Sequence, residues 1–138
     1  MSLFNLFDVA GSAMSAQSIR LNTTASNLAN ADSVSGSERD VYKALHPVFS
    51  TVLDDAQQRG LPTGGVEVKG VIESDAPAAR EYNPNHPLAN KDGYIFHSNV
   101  EPIAEMADMM AASRSYQNNV EIVNTSKRLL LRTLQLGK

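Results

Sequence analysis

The stretch LNTTASNLANADS, Leu21 to Ser33, has the spacing of a helix and the composition of something else. Leu21 and Leu28 stand seven apart, yet Asn22, Thr23, Thr24, Ser26, Asn27 and Asn30 crowd the turns around them. Short polar side chains of this kind compete for backbone hydrogen bonds and weaken an isolated helix. A helix built from them needs neighbours to hold it.

Working outward, Leu3, Phe7, Ala10, Met14, Gln17, Leu21, Thr24 and Leu28 follow alternating steps of four and three, an a/d seam with polar exceptions at Gln17 and Thr24. The spacing predicts a helix from about residue 3 to 31, ended by the turn formers of Asp32–Ser37 around Gly36. At the other end, Ser98 and Glu101 have capping-box spacing, and Pro102 suits a first helical turn. Met106, Met109, Ser113, Tyr116, Val120, Val123, Lys127, Leu130 and Leu134 then step by three and four, predicting a helix over 99–136. Glu101, Glu105 and Asp108 near its start, with Lys127, Arg128 and Arg132 near its end, match the helix dipole.

The middle has a different composition. Val66, Val68 and Val71-Ile72, bracketed by Gly64, Gly65, Gly70 and Pro77, predict one or two short strands, and Val48–Leu53 another. Asn83-Pro84, His86-Pro87 and Asp92-Gly93 read as turns leading into the second helix. The expected fold class is therefore mainly α with a small, irregular β-containing insertion: helix over 1–31, insertion over 32–98, helix over 99–138, in effect one domain. Helices of 29 and 38 residues would be about 43 and 57 Å long. A compact 138-residue globule is only about 35–40 Å across. An elongated, coiled-coil-like hairpin of terminal helices with a lateral knob follows.

Charge narrows the function. Twelve Lys plus Arg against fifteen Asp plus Glu give a net charge of -3, so nothing draws the chain electrostatically to nucleic acid or an anionic lipid surface. Without cysteine there is no disulfide, thiolate nucleophile or thiolate metal site. The first residues lack a basic segment and a long apolar run, and Asp8 interrupts them, so no cleavable secretory signal is expected. From Met1 to Ala31 only Asp8 and Arg20 are charged. A helix with one wet face carries more charge than that, and small uncharged residues all round suit one touched on several sides. A single intramolecular partner would cover one stripe, so the surplus points to other subunits.

Candidate chemistry is thin. His46, His86 and His97 show no ligand spacing, and two of them precede prolines in apparent turns. Asp54-Asp55 and the Glu38/Asp40 pair read as solvated loop charges rather than an acid/base pair. No serine lies in a nucleophile motif, and the glycines match neither a phosphate loop nor a dinucleotide fingerprint. No catalytic residue, cofactor or metal is expected. Met106, Met109 and Met110 beside Ile103 and Tyr116 read as core or interface.

Three separated segments then carry a resemblance: LFNLFDVAGSAMSAQSIRLNTTASNLANADS, YNPNHPLANKDGYIFHSNV and EPIAEMADMMAASRSYQNNVEIVNTSKRLLLRTLQLGK. Together they look like the bacterial flagellar basal-body rod family, over the whole chain. Asn27–Ala31 matches its NLANA signature, and Ser113–Asn119 resembles its A/S-R-x-Y-x-x-N element. After the first signature many members continue with Thr, Gly and an aromatic residue, whereas this chain reads DSVSGS. The lack of a large inserted domain, and the loop around His86-Pro87 and Asp92-Gly93-Tyr94, resemble the short proximal members of the C type. The resemblance implies a non-enzymatic subunit of the periplasmic drive shaft, exported by the flagellar type III apparatus, whose partners are other rod proteins and copies of itself in a helical assembly. It implies an assembly interface that includes Asn27, Asn30, Arg114 and Asn119 beside the seam residues Phe7, Met14, Leu21, Leu28, Met106, Met109, Tyr116, Val120, Val123, Leu130 and Leu134. The residues alone also fit a soluble helical-hairpin adaptor or regulatory coiled coil that forms a small closed oligomer.

Overall fold

The computed structural model describes residues 3–53 and 64–136. The Asp54-Asp55 pair lies outside the described residues, as does the side chain of Leu3. In chain order the elements are α1 (Leu3–Ala29), β1 (Val34–Ser35), β2 (Leu45–Leu53), β3 (Gly64–Glu73), β4 (Ala79–Tyr82), β5 (Tyr94–His97) and α2 (Pro102–Leu136). Both terminal helices form where the apolar spacing places them. With 27 and 35 residues they are about 40 and 52 Å long.

The expected capping box does not form. Ser98 Oγ accepts from the backbone N–H of Val100 at 3.2 Å, while the Ser98 N–H donates to the Ser33 carbonyl at 3.1 Å. Strand pairing thus holds the chain extended past His97. The first helical bond runs from the N–H of Glu105 to the carbonyl of Glu101, 3.0 Å. Pro102 follows at the first helical position, where a missing N–H has no intrahelical partner to lose.

The insertion is more regular than its composition suggests. β1, β5 and β4 form an antiparallel three-stranded sheet with β5 in the middle. None of these three strands was foreseen, since they lie between or beside the turn residues. Val34 faces His97 and Ser35 faces Phe96. Because β1 follows α1 and β5 precedes α2, this pair brings the end of one helix beside the start of the other. Val41, Ala44, Ile95 and Val100 supply buried apolar side chains in the segments around that junction.

β2 and β3 form a separate antiparallel hairpin, paired from Leu45 opposite Glu73 to Leu53 opposite Gly64 with one register shift between Val48 and Phe49. β3 is one continuous strand. Gly70 sits inside it opposite Val48, where the register shifts, and its lack of a side chain suits a local irregularity better than a strand end. The hairpin runs back along α1: Leu45 bonds to Asn27, and the Val66 N–H donates to Ser12 Oγ at 3.2 Å. The spans agree. Asn27 to Ser12 is about 22 Å of helix, and Leu45 to Thr51, which faces Val66, is about 20 Å of strand.

α1 therefore packs against both α2 and the β2–β3 hairpin within its own chain. This corrects the expectation of a single intramolecular partner. Part of the uncharged surface attributed to other subunits is occupied by the hairpin.

The β4–β5 turn requires one glycine. Gly93 has φ +81°, and a Cβ there would stand 2.8 Å from the Tyr82 ring and 3.2 Å from Pro84. Tyr82 also meets Tyr94 edge-on, with ring centroids 5.2 Å apart. Gly93→Ala is expected to cost about 1–2 kcal/mol, from the left-handed backbone and the displaced ring together. Denaturant unfolding of the purified variant against the parent chain measures it.

Candidate assembly interface and the joint behind it

Asn27 is the most completely enclosed large side chain among the described residues, at 0% exposure. Its amide nitrogen donates to the Leu45 carbonyl at 2.9 Å and to Glu105 Oε1 at 2.8 Å. Its amide oxygen accepts from the Leu45 N–H and the Tyr42 hydroxyl, both at 2.9 Å. Both donor positions and both lone pairs are filled. One side chain on the last turns of α1 thereby holds the start of β2 and the first turn of α2.

The neighbouring polar residues are also used within the chain. Thr23 donates to the Ile19 carbonyl at 2.9 Å and Thr24 to the Leu21 carbonyl at 3.0 Å, so their hydroxyls are satisfied although both residues are buried. Ser26 lies 3.2 Å from the Tyr42 hydroxyl. Asn30 turns its side-chain nitrogen back to the Ser26 carbonyl at 2.8 Å, which also accepts the backbone N–H of Asn30 at 3.2 Å, so the end of α1 is held twice. Asn99 adds a second tie, accepting from the Ala44 N–H and donating to the Ala76 carbonyl, each at 2.7 Å.

Glu105, read from sequence as a dipole charge, is buried and receives Asn27. Seven residues earlier on α1, Arg20 meets Asp108 on α2 at 2.7 Å. The α1 partners descend from 27 to 20 as the α2 partners rise from 105 to 108, so the helices run antiparallel. Arg20–Asp108 is substantially exposed and contributes at most about 1 kcal/mol. It orients the pair more than it holds it.

The helices bury small and polar side chains: Ala10, Ala16, Thr23, Thr24 and Asn27 on α1, and Glu105, Ala112 and Ser126 on α2. Of the residues expected at an assembly interface, Phe7, Met14, Leu21, Leu28, Met109, Asn119, Val120, Val123 and Leu130 are half-buried. Met106, Tyr116 and Leu134 are exposed, Met106 by 56% and Leu134 by 63%, and Arg114 is also exposed. Asn119 donates locally to the Ser115 carbonyl at 2.9 Å. Asn27 presents no surface to another subunit. Ile103, 80% exposed, and Met110 lie on the outer side of α2 with Met106, at spacings of three and four residues.

Tyr42, Glu105 and Asn99 were not anticipated as partners. The polar excess around Asn27 was the visible sign that the helix end bonds to something, but Glu105 lies 78 residues away. The histidines do not converge: His86 Nδ1 accepts from the Leu88 N–H at 3.1 Å, and His97 lies 2.9 Å from Glu81 on the facing strand. Among the described residues no cluster of His and acidic side chains could hold a metal ion, and no helix is long and apolar enough to cross a membrane.

Comparison with known proteins gives two family matches, one at each end. Residues 7–36 match the family described as flagella basal body rod protein, and residues 91–136 match the flagellar basal body rod FlgEFG protein C-terminal family. Flagellar basal-body rod protein FlgC of Salmonella typhimurium is 52% identical over the whole of both chains. The proteins of that name from Escherichia coli O6:H1 and from Buchnera aphidicola of Acyrthosiphon pisum are 51% and 46% identical, again over the whole of both chains.

The chain belongs to the flagellar basal-body rod protein family. It is a structural subunit of the basal body. The two matched segments are the ones the joint unites: the first contains Asn27 and β1, the second contains β5 and Glu105. In this rod subunit Asn27→Ala is expected to lower stability by roughly 2–4 kcal/mol, because it leaves several enclosed polar partners unpaired at once. Urea unfolding measures the loss. Amide exchange should show the protection of Leu45 falling furthest.

Proposed function

We propose that this rod subunit is a non-enzymatic part of the proximal, periplasmic drive shaft that carries torque from the motor toward the hook and filament. Its partners are other rod proteins and copies of itself, and the flagellar type III apparatus exports it. Residues 1–31 and 99–138 serve as rod-core helices in an elongated, coiled-coil-like hairpin, and residues 32–98 set which neighbours the subunit meets. The full-length likeness to proteins named as basal-body rod proteins supports the rod reading.

The observation that carries the mechanical part is the placement of apolar side chains. The helix pair buries alanines and hydroxyl residues while Ile103, Met106, Met110, Leu129, Leu131 and Leu134 face outward. A long helix with its large apolar side chains outside is a helix prepared for further neighbours. Torque then passes through packed side chains between subunits, and heterologous contacts of this kind build an open helical array.

Met106→Glu tests this reading. The side chain is exposed, so circular dichroism and the unfolding midpoint of the isolated chain should match the parent. Placed in a packed interface, the new charge should abolish swimming and rod assembly. Normal swimming with intact rods would remove Met106 from the interface.

A further inference from the structure

The two ends of the helix pair are unequal. Arg20–Asp108 and Asn27–Glu105 set the antiparallel register, which places Leu3 beside residues 125–129 of α2. α2 is eight residues longer than α1 and overhangs it by about 12 Å. Leu131 and Leu134 lie on one face of this overhang, Leu131 being 50% exposed, and Arg132 follows Leu131 about 100° around the helix. Among the described residues Arg132 has no acidic partner, whereas Arg128 is held by Glu121 at 3.2 Å.

At the same end of the molecule, α1 and the Leu53/Gly64 end of the hairpin leave a groove of about 280 Å³. Asn5, Asp8, Val9 and Ser12 form one wall, and Val52 and Gly64–Val66 form the other. Val9 and Val52 are both exposed. Gly65 keeps the groove open against Ser12, because a Cβ there would stand 3.3 Å from Ser12 Oγ. Asp8 is the only acidic residue on α1 and, among the described residues, has no cationic partner.

Among the described residues groove and overhang are complementary: the groove is apolar with the carboxylate of Asp8, and the overhang is apolar with the guanidinium of Arg132. The register separates them within one chain. Val9 lies level with residues near 120 of its own α2, so Leu131 stands about 15 Å further along the axis.

We infer that the groove beside Asp8 receives the α2 overhang of a second copy of this chain, with Leu131 and Leu134 against Val9 and Val52 and Arg132 against Asp8. The contact uses two different surfaces of identical subunits, so it repeats without closing. The two copies lie side by side and parallel, one displaced along the helix axis. The inference rests on the rod-subunit reading and adds its lateral partner.

Because the chain has no cysteine, a designed disulfide reports without background. In cells lacking their own copy, the full chain carrying both Val9→Cys and Leu131→Cys should give a ladder of covalent multimers on mild oxidation, and neither single variant should. Motile cells with no ladder would overturn the inference, as would a product that stops at a dimer or joins either cysteine to a different protein.

The charges give a second measurement that does not depend on cysteine. Asp8→Arg alone and Arg132→Asp alone should each lose swimming, and the double exchange should recover it. Unimpaired swimming in the single variants overturns the pairing, as does a double variant as defective as either single. If the parent chain itself fails to restore swimming, the rod reading fails instead, so the two failures are distinct.

Discussion

Everything in this fold hangs from the enclosure of one amide. Asn27 has two donors and an acceptor with two lone pairs, and each meets a different part of the chain. A buried amide with unmet groups costs more than its bonds return, so the site is stable only when β2, Tyr42 and α2 are all in place. That makes the joint cooperative. The β1–β5 pair and Asn99 reinforce it from the other side of the same junction.

The joint explains how two helices can associate with so little apolar burial between them. Their buried stripe is alanine, threonine, serine, asparagine and glutamate, which permits close approach but contributes less transfer free energy than leucine would. The polar ties at the base and the hairpin laid along α1 supply what that stripe lacks. The larger apolar side chains Ile103, Met106 and Met110 of α2 stand exposed on its outer side instead.

A subunit that works by contact needs rigidity where forces converge and adaptable apolar surface where it meets others. The joint provides the first through saturated hydrogen bonds around an enclosed side chain. On the proposed reading Met106 and Met110, both exposed, provide the second, since unbranched thioether side chains fill irregular gaps. His97 pairs with Glu81 across the β4–β5 strands, at 2.9 Å.

The two helices, the turns at Asn83-Pro84 and Asp92-Gly93, the hairpin strands and the family were legible in the amino-acid order, because local spacing and contiguous motifs encode them. It could not place β1, β4 and β5, whose two to four residues are too short for a period to register and are defined only by what they pair with. It also misread Ser98, whose capping-box spacing was outweighed by strand pairing to Ser33. The polar crowding of Leu21–Ser33 announced that α1 needs neighbours, but spacing says nothing about where Tyr42, Leu45 and Glu105 will stand. That Asn27 faces inward is visible in the folded chain alone, because Tyr42, Leu45 and Glu105 come from separate segments and the cost of enclosing the amide is met when all of them arrive together.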